Sequence, residues 1–375
     1  MGYYSASLDR RPDGPPLPGE EGRAEGAASL SRGIGVAVVG CGYWGPNLVR
    51  VLSTLPGVEL RALCDLNTAA AQQLTAQYAR DARIEADFRT LVDDPSIDAV
   101  VIATPMSTHR WIAEPFLSVG QHVLVEKPLA TTSEECEGLI EAATRSGATL
   151  MVGHVFEYNP AVVWIKDCLR KGSLGDVYYV HSRRLNLGRI QNELNAMWSF
   201  APHDVSILLF WLEQLPLSVR ARGFSYLTPG VEDVVFMTLD FPGGIAANVH
   251  LSWLDPKKVR EMTVVGSQQM LVYDDVSVDA KIQVYDKGVV RMDNGVPHDF
   301  GEFQLQLRTG DLVVPNIRGT EPLREECAHF VACIEQGRTP RSDGRSGQRI
   351  VRVLEAAERS LRADGRPVEL LAPVG

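Results

Sequence analysis

Two side chains in this sequence stand where proton and charge chemistry can be done. Lys127 lies in Glu126-Lys127-Pro128, directly after the apolar run His122-Val123-Leu124-Val125. That run reads as a parallel strand, and open α/β sheets bind their ligands beyond the carboxyl ends of such strands. An ammonium placed there can donate to a hydroxyl and stabilise negative charge growing on its oxygen, with Glu126 and Pro128 shaping the turn. A surface lysine after a strand is the plainer alternative. His203 lies in Trp198-Ser199-Phe200-Ala201-Pro202-His203-Asp204, ahead of Ile207, Leu208, Phe210 and Trp211. An imidazole near its ordinary pKa accepts a hydroxyl proton at neutral pH, although a satisfied structural histidine is the alternative. Pro202 suits a first helical turn, so a helix from Pro202 to Leu212 is expected to carry His203 near its start. Asp204 then serves either that helix N-terminus or the reaction.

A hydroxyl that loses its proton to such a pair can be oxidised if hydride has somewhere to go, and the stretch from Ile34 to Asp65 describes the place. Ile34 to Val39 is an apolar run too short for a helix and suits a buried parallel strand. It feeds into Gly40-Cys41-Gly42-Tyr43-Trp44-Gly45, and then into Pro46 and a helical pattern through Leu52. In strand–G-x-G-x-x-G–helix order, Gly40 allows the tight turn and Gly42 lets the backbone approach a diphosphate. Gly45 lets the helix pack close while its N-terminus offers free N–H groups. Val58 to Leu63 reads as a second strand closed by Asp65, where a carboxylate binds both adenosine ribose hydroxyls. Asp65 also repels a 2′-phosphate, and neither Leu66 nor Asn67 supplies a cation, so the cofactor expected is NAD rather than NADP.

The elements that must position these groups follow in order. Residues 1–33, with Pro12, Pro15, Pro16 and Pro18 and no apolar periodicity, read as a flexible extension. Residues 34–153 alternate strands and helices: Thr68 to Tyr78, Phe88 to Val92, His109 to Val119 and Glu134 to Ser146 are helical, the last capped by Ser133, and Thr149 to Val152 is the sixth strand. They make a Rossmann doubly wound parallel sheet. Residues 154–375 form an α+β domain for substrate binding and oligomer contacts. Its strands are Val177 to Leu185, Ser218 to Ser225, Val234 to Phe241, Ile245 to Trp253, Arg260 to Val265 and Met270 to Asp274, in an open antiparallel sheet. A helix from Asn159 and C-terminal helices over Glu321 to Glu335 and Gly347 to Ala363 complete it.

Length and composition set bounds. The chain has 375 residues, 45% of them hydrophobic, enough for two sizeable cores. The longest apolar run, Ile207 to Leu212, is far short of a membrane span and no signal-peptide pattern opens the sequence, so a cytoplasmic, non-membrane protein is expected. A net charge of -10 argues against nucleic acid as a partner. The six cysteines form no C-x-x-C pair, so no metal site is expected.

The glycine turn, Glu126-Lys127-Pro128, Gly153-His154 with Tyr158-Asn159-Pro160, and Ala201-Pro202-His203-Asp204 together resemble the Gfo/Idh/MocA oxidoreductases over roughly residues 34 to 370. Ser182-Arg183-Arg184-Leu185-Asn186-Leu187-Gly188-Arg189 and Trp253-Leu254-Asp255-Pro256-Lys257-Lys258-Val259-Arg260 resemble the branch that oxidises C3 of UDP-linked N-acetylated sugars or uronates. The resemblance implies an NAD-dependent sugar dehydrogenase that works as a homodimer or homotetramer. Members commonly carry Asp four residues before the histidine, where this chain has Ser199. The candidate set is then Lys127 and His203 as catalytic residues. Gly40, Gly42, Tyr43, Trp44, Gly45, Asp65, Thr104, His109, Glu126 and Lys127 are expected at the cofactor. His154, Tyr158, Arg183, Asn186, Arg189 and Ser199, with Lys127 and His203, are expected at the substrate. Strand arginines are more commonly solvated. The alternatives are oxidation of the 3-hydroxyl of an aminoglycoside, reduction of a nucleotide-linked ketosugar, and a dinucleotide-binding sensor without turnover.

Overall fold

Valine-rich runs build the first sheet. In the computed structural model, which describes residues 33–188, 194–291 and 305–370, β1 (Ile34–Val39), β2 (Val58–Cys64), β3 (Arg83–Glu85), β4 (Ala99–Ile102), β5 (His122–Glu126) and β6 (Leu150–Gly153) lie in the order β3-β2-β1-β4-β5-β6. All five pairs are parallel. Crossovers that return each strand to the same end need helices, supplied by α1 (Gly45–Leu52), α2 (Thr68–Tyr78), α3 (His109–Ser118) and α4 (Ser133–Ser146). The cap of α4 is one residue earlier than expected: Thr132 Oγ1 accepts from the Glu135 N–H at 3.1 Å, and Ser133 instead hydrogen-bonds Glu355.

Beyond β6, α5 (Pro160–Arg170) starts on its Asn159 cap. A second sheet follows from β7 (Val177–Leu185), interrupted by α6 (Ala196–Leu212) and continued by β8 (Ser218–Phe224), β9 (Val234–Asp240), β10 (Ala246–Ser252), β11 (Val259–Gly266), β12 (Met270–Asp274) and β13 (Ile282–Tyr285). A hairpin of β14 (Gly288–Arg291) and β15 (Leu305–Arg308) stands apart, and the short β16 (Leu312–Val313) and β17 (Val368–Glu369) close the two edges. The order is β16-β13-β12-β11-β7-β10-β9-β8-β17. The expected strands are present, but the sheet is mixed: β10 runs parallel to β7 because α6, β8 and β9 intervene and bring the chain back in the same direction.

The expected helix start at Pro202 is also corrected. α6 begins at Ala196, where the Asn195 side chain accepts from the Trp198 N–H at 3.0 Å. Pro202 is inside the helix, where it has no N–H for the Trp198 carbonyl, and Asp204 is therefore far from the helix N-terminus. Two last helices, α7 (Pro322–Gln336) and α8 (Gly344–Arg362), return to the first sheet. Leu323, Cys327, Phe330 and Val331 of α7 share a core with Val38, Leu48 and Leu124. α8 serves both halves: Val351 joins the core of the first sheet, while Ile350, Val353, Leu354, Ala356 and Ala357 join that of the second. No helix among the described residues is long and apolar enough to cross a membrane.

Candidate active site

At the glycine turn the backbone is shaped for an anion. Gly40 has φ 100° and its α-carbon faces the Ala103 carbonyl, while a methyl on Gly45 would collide with the Gly40 carbonyl. Gly42 differs, since a methyl there would meet nothing within 4 Å. That open space is what a diphosphate approaching the backbone requires, and α1 begins with no side chain capping its N–H groups. Tyr43 is exposed beside the turn and Trp44 is half-buried at the start of α1. Asp65, directly after β2, accepts from the Cys41 N–H at 2.7 Å and from the Asn67 N–H at 2.8 Å. It therefore fixes the turn as well as offering its remaining lone pairs to ribose hydroxyls. These residues fit a dinucleotide.

The loops after β4 and β5 are fastened to each other by His109. Its Nδ1 lies 2.9 Å from the Pro128 carbonyl and its Nε2 2.9 Å from the Thr104 carbonyl. Burial lowers its pKa against the pull of those carbonyls, and whichever ring nitrogen carries a proton has a carbonyl to receive it. The Thr104 and Thr108 hydroxyls are 2.8 Å apart in the same loop. The expectation that His109 belongs to the cofactor loop gains a geometric basis here.

Lys127 emerges from the turn so fastened and reaches α6, where its Nζ donates to the Ser199 carbonyl at 3.4 Å. Burial lowers the ammonium's pKa, opposed by Glu126 and reinforced by Arg184. Burial likewise lifts Glu126 to about 7 against the pull of Lys127. Its carboxylate lies over β6, where a methyl on Gly153 would stand 3.1 Å away. His203, one turn beyond Ser199, packs edge-on to Phe156 with ring centroids 5.1 Å apart. Burial, then Lys127, Arg184, Arg260 and His154, hold its pKa well below the ordinary histidine range. The unshifted imidazole expected from sequence is thus corrected, since burial first and the surrounding cations second oppose a positive charge on the ring. His154 joins the group: it is buried, both ring nitrogens lack a partner, and burial followed by Lys127 lowers its pKa to about 3.

Other candidates are placed elsewhere. Strand alternation sends Arg183 to the outer face of the second sheet, where it pairs with Glu261, while Arg184 points inward. The expectation that Arg183 meets substrate is corrected on that ground. Arg184 forms a buried ion pair with Asp204, Nε to Oδ2 at 2.5 Å, and Asp204 Oδ1 also accepts from the Ser182 hydroxyl at 2.7 Å. Tyr158 is a core residue, its hydroxyl 3.2 Å from that of Ser342 and its ring under Arg341, so its assignment to the substrate is corrected to a packing role. Asn186 directly follows β7 and its N–H bonds the Ser252 carbonyl. Arg189 lies outside the described residues. The sequence reading missed Arg184 with Asp204 as a framework and Glu326, an acid inside the apolar stripe of α7; a charged residue at a core-spaced position is the signal that finds it.

Both halves of the chain match known protein families. Residues 34–154 match the family described as oxidoreductase family, NAD-binding Rossmann fold, and residues 162–272 match the GFO/IDH/MocA C-terminal domain. Inositol 2-dehydrogenase 2 of Saccharopolyspora erythraea is 31% identical over 225 residues, which span 58% of this chain and 66% of that protein. The crystal structure of GenD2 from gentamicin A biosynthesis in complex with NAD has a TM-score of 0.75 at 25% identity and covers 94% of this chain and 100% of that one. UDP-N-acetylglucosamine 3-dehydrogenase GnnA from Acidithiobacillus ferrooxidans shares the fold, with a TM-score of 0.72 at 23% identity over 88% of this chain and 98% of that chain.

Proposed function

Because the chain belongs to the GFO/IDH/MocA oxidoreductase family, we propose that it is an NAD-dependent dehydrogenase that oxidises a secondary ring hydroxyl of a sugar or polyol to a ketone. The observation that carries this reading is the 3.4 Å contact between Lys127 Nζ and the Ser199 carbonyl, which joins the turn after β5 to the helix that bears His203. The Gly40–Gly45 turn and α1 hold the diphosphate, Asp65 the adenosine ribose, and Thr104, His109 and Glu126 line the way to the nicotinamide. NAD bound there supplies the hydride acceptor.

The chain's own groups handle the proton and the charge. Lys127 donates to the substrate hydroxyl oxygen and opposes the negative charge that develops on it. His203, neutral because of its low pKa, presents a lone pair and takes the hydroxyl proton. Asp204 fixes Arg184 beside them, and Phe156, stacked beneath the Arg184 guanidinium at 4.8 Å, walls off water.

In the finer reading the oxidised position is C3 of a nucleotide-linked N-acetylated sugar, and the ketosugar passes to an aminotransferase. Supporting it, the two sequence runs that resemble that branch are neighbours: β7 pairs with β11 through Arg184 and Arg260, and the Gly188 N–H approaches the Trp253 carbonyl at 3.4 Å. A second reading, the 3-hydroxyl of an aminoglycoside, is favoured by the full-length likeness to GenD2. NADH formation with UDP-N-acetylglucosamine, gentamicin A and myo-inositol, each with NAD and NADP, separates these readings. Lys127→Ala and His203→Asn should each lower kcat about a hundredfold or more while NAD affinity holds. Near-normal turnover of His203→Asn would make Lys127 the base. A dimer or tetramer contact belongs on the outer face of the second sheet, where Tyr179, Phe224 and Phe236 are exposed; a monomer in light scattering opposes that placement.

A further inference from the structure

The core face of the second sheet ends in two arginines. Val180, Ser182 and Arg184 of β7 lie opposite Val264, Met262 and Arg260 of β11, and all of them but Arg260 are buried. Residues directly opposite in an antiparallel pair leave the sheet on the same side, with β-carbons about 4.5–5.5 Å apart. Arg260 therefore stands beside Arg184, whose guanidinium carbon is 4.8 Å from the centre of the Phe156 ring, and that ring lies 5.1 Å from the ring of His203. This places Arg260 at the rim of the reaction site.

Like charges directly opposite each other are destabilising, and the chain compensates these two unequally. The Arg184 side chain is 5% exposed and makes two bonds to the Asp204 carboxylate. The Arg260 side chain is 35% exposed; its Nη1 reaches Asp275 Oδ2 at 3.4 Å, and its buried Nε has no partner among the described residues. Asp275 is held by neutral groups as well, since its Oδ1 accepts from the Tyr273 hydroxyl at 3.0 Å and from Asn159 Nδ2 at 3.4 Å. A guanidinium carries five N–H donors in a flat fork that matches a carboxylate or a phosphate. One of the five is used here, on a long bond, and a buried donor without an acceptor costs free energy until something accepts from it.

We propose that Arg260 is the substrate's anion anchor: its guanidinium binds a carboxylate or phosphate carried on or beside the ring whose hydroxyl meets Lys127 and His203. The inference rests on the dehydrogenase reading of that pair and deepens it by naming an acidic or phosphorylated sugar as the substrate class. A polycationic aminoglycoside is repelled by the same group. The Arg260 charge is felt at His203, whose pKa is lowered by burial and then by Lys127, Arg184 and Arg260.

Calorimetric titration of the full-length protein saturated with NAD tests this without requiring turnover. The probes are two matched pairs, glucuronate with glucose and N-acetylglucosamine 1-phosphate with N-acetylglucosamine. In at least one pair the anionic member should bind about tenfold or more tighter, the first pair if the anion is a ring carboxylate and the second if it is a phosphate. Equal affinities within both pairs, or no binding by either anion, overturn the proposal. Arg260→Gln should remove the preference and leave the affinity of the neutral member and of NAD unchanged; a Gln variant that keeps the preference overturns the proposal. Arg260→Lys, the milder change for folding, keeps the charge without the fork and should cut the preference about threefold or more, and a full preference there overturns the proposal as well. Asp275→Asn removes the carboxylate partner and leaves the guanidinium, so the preference should survive or grow. If Asp275→Asn loses it as Arg260→Gln does, the guanidinium serves the fold and the proposal falls. The two readings fail separately: sugars that bind with the preference but yield no NADH remove the dehydrogenase reading and keep the anchor, whereas NADH formed with equal kcat/KM from both members of each pair removes the anchor and keeps the dehydrogenase.

Discussion

Replacing Ser199 with aspartate puts a carboxylate one helical turn before His203, about 5–6 Å away between β-carbons. At that separation two unit charges interact by about 3 kcal/mol at an effective dielectric of about 20, equivalent to about two pH units. Lys127, whose Nζ reaches the Ser199 carbonyl at 3.4 Å, takes part of that field, so a shift of about one unit is expected at His203. The sign follows from the charge: an anion stabilises imidazolium, raises the His203 pKa and removes the free base at a higher pH. The acidic limb of kcat/KM should therefore move up in Ser199→Asp, from a wild-type position that the burial and cations around His203 place well below the ordinary histidine range. Steady-state rates across pH with saturating NAD measure it. A limb that stays in place, moves down, or shifts equally in a His203→Asn background would refute the assignment of His203 as the base.

Three further outcomes follow from the geometry. Gly42→Ala should fold normally, since its methyl meets nothing within 4 Å, yet lose NAD affinity about tenfold or more in calorimetric titration; Gly45→Ala, which collides with the Gly40 carbonyl, should fail first in thermal unfolding. Asp204→Asn strips the charge that balances the buried Arg184 guanidinium and should cost about 3–5 kcal/mol in denaturant unfolding. Asp65→Ala should weaken NAD binding and narrow its preference over NADP, because it removes both the ribose acceptor and the bond to the Cys41 N–H; an unchanged ratio of the two affinities counts against the cofactor reading.

Much of the first sheet was legible because each of its strands is a local signal, a short apolar run between turn residues, and because Gly40 and Gly45 must be glycine for reasons stated by backbone geometry alone. The strands of the second sheet were legible in the same way, but their directions were not. Whether β10 runs with or against β7 depends on a return through α6, β8 and β9 that no local pattern encodes. Pro202 misled because a proline is a start signal only when nothing upstream caps better, and Asn195 does. The alternation that turned Arg183 outward and Arg184 inward was readable once the register was known, since one residue of slip exchanges the two faces. Lys127 and His203 were singled out by residue type, but their lowered proton affinities arise first from burial and then from charged neighbours such as Arg184, all set by tertiary packing.

α8 gives core residues to both sheets, and α7 completes the core of the first. During synthesis, the strands β1 to β6 leave the ribosome long before either helix exists. Until then the faces that Leu323, Phe330 and Val351 will cover stand open to water, to chaperones and to proteases. Neither half is therefore complete until α8 has emerged, although the first sheet is made first, and a premature stop anywhere before Val351 leaves that sheet with part of its own interior missing.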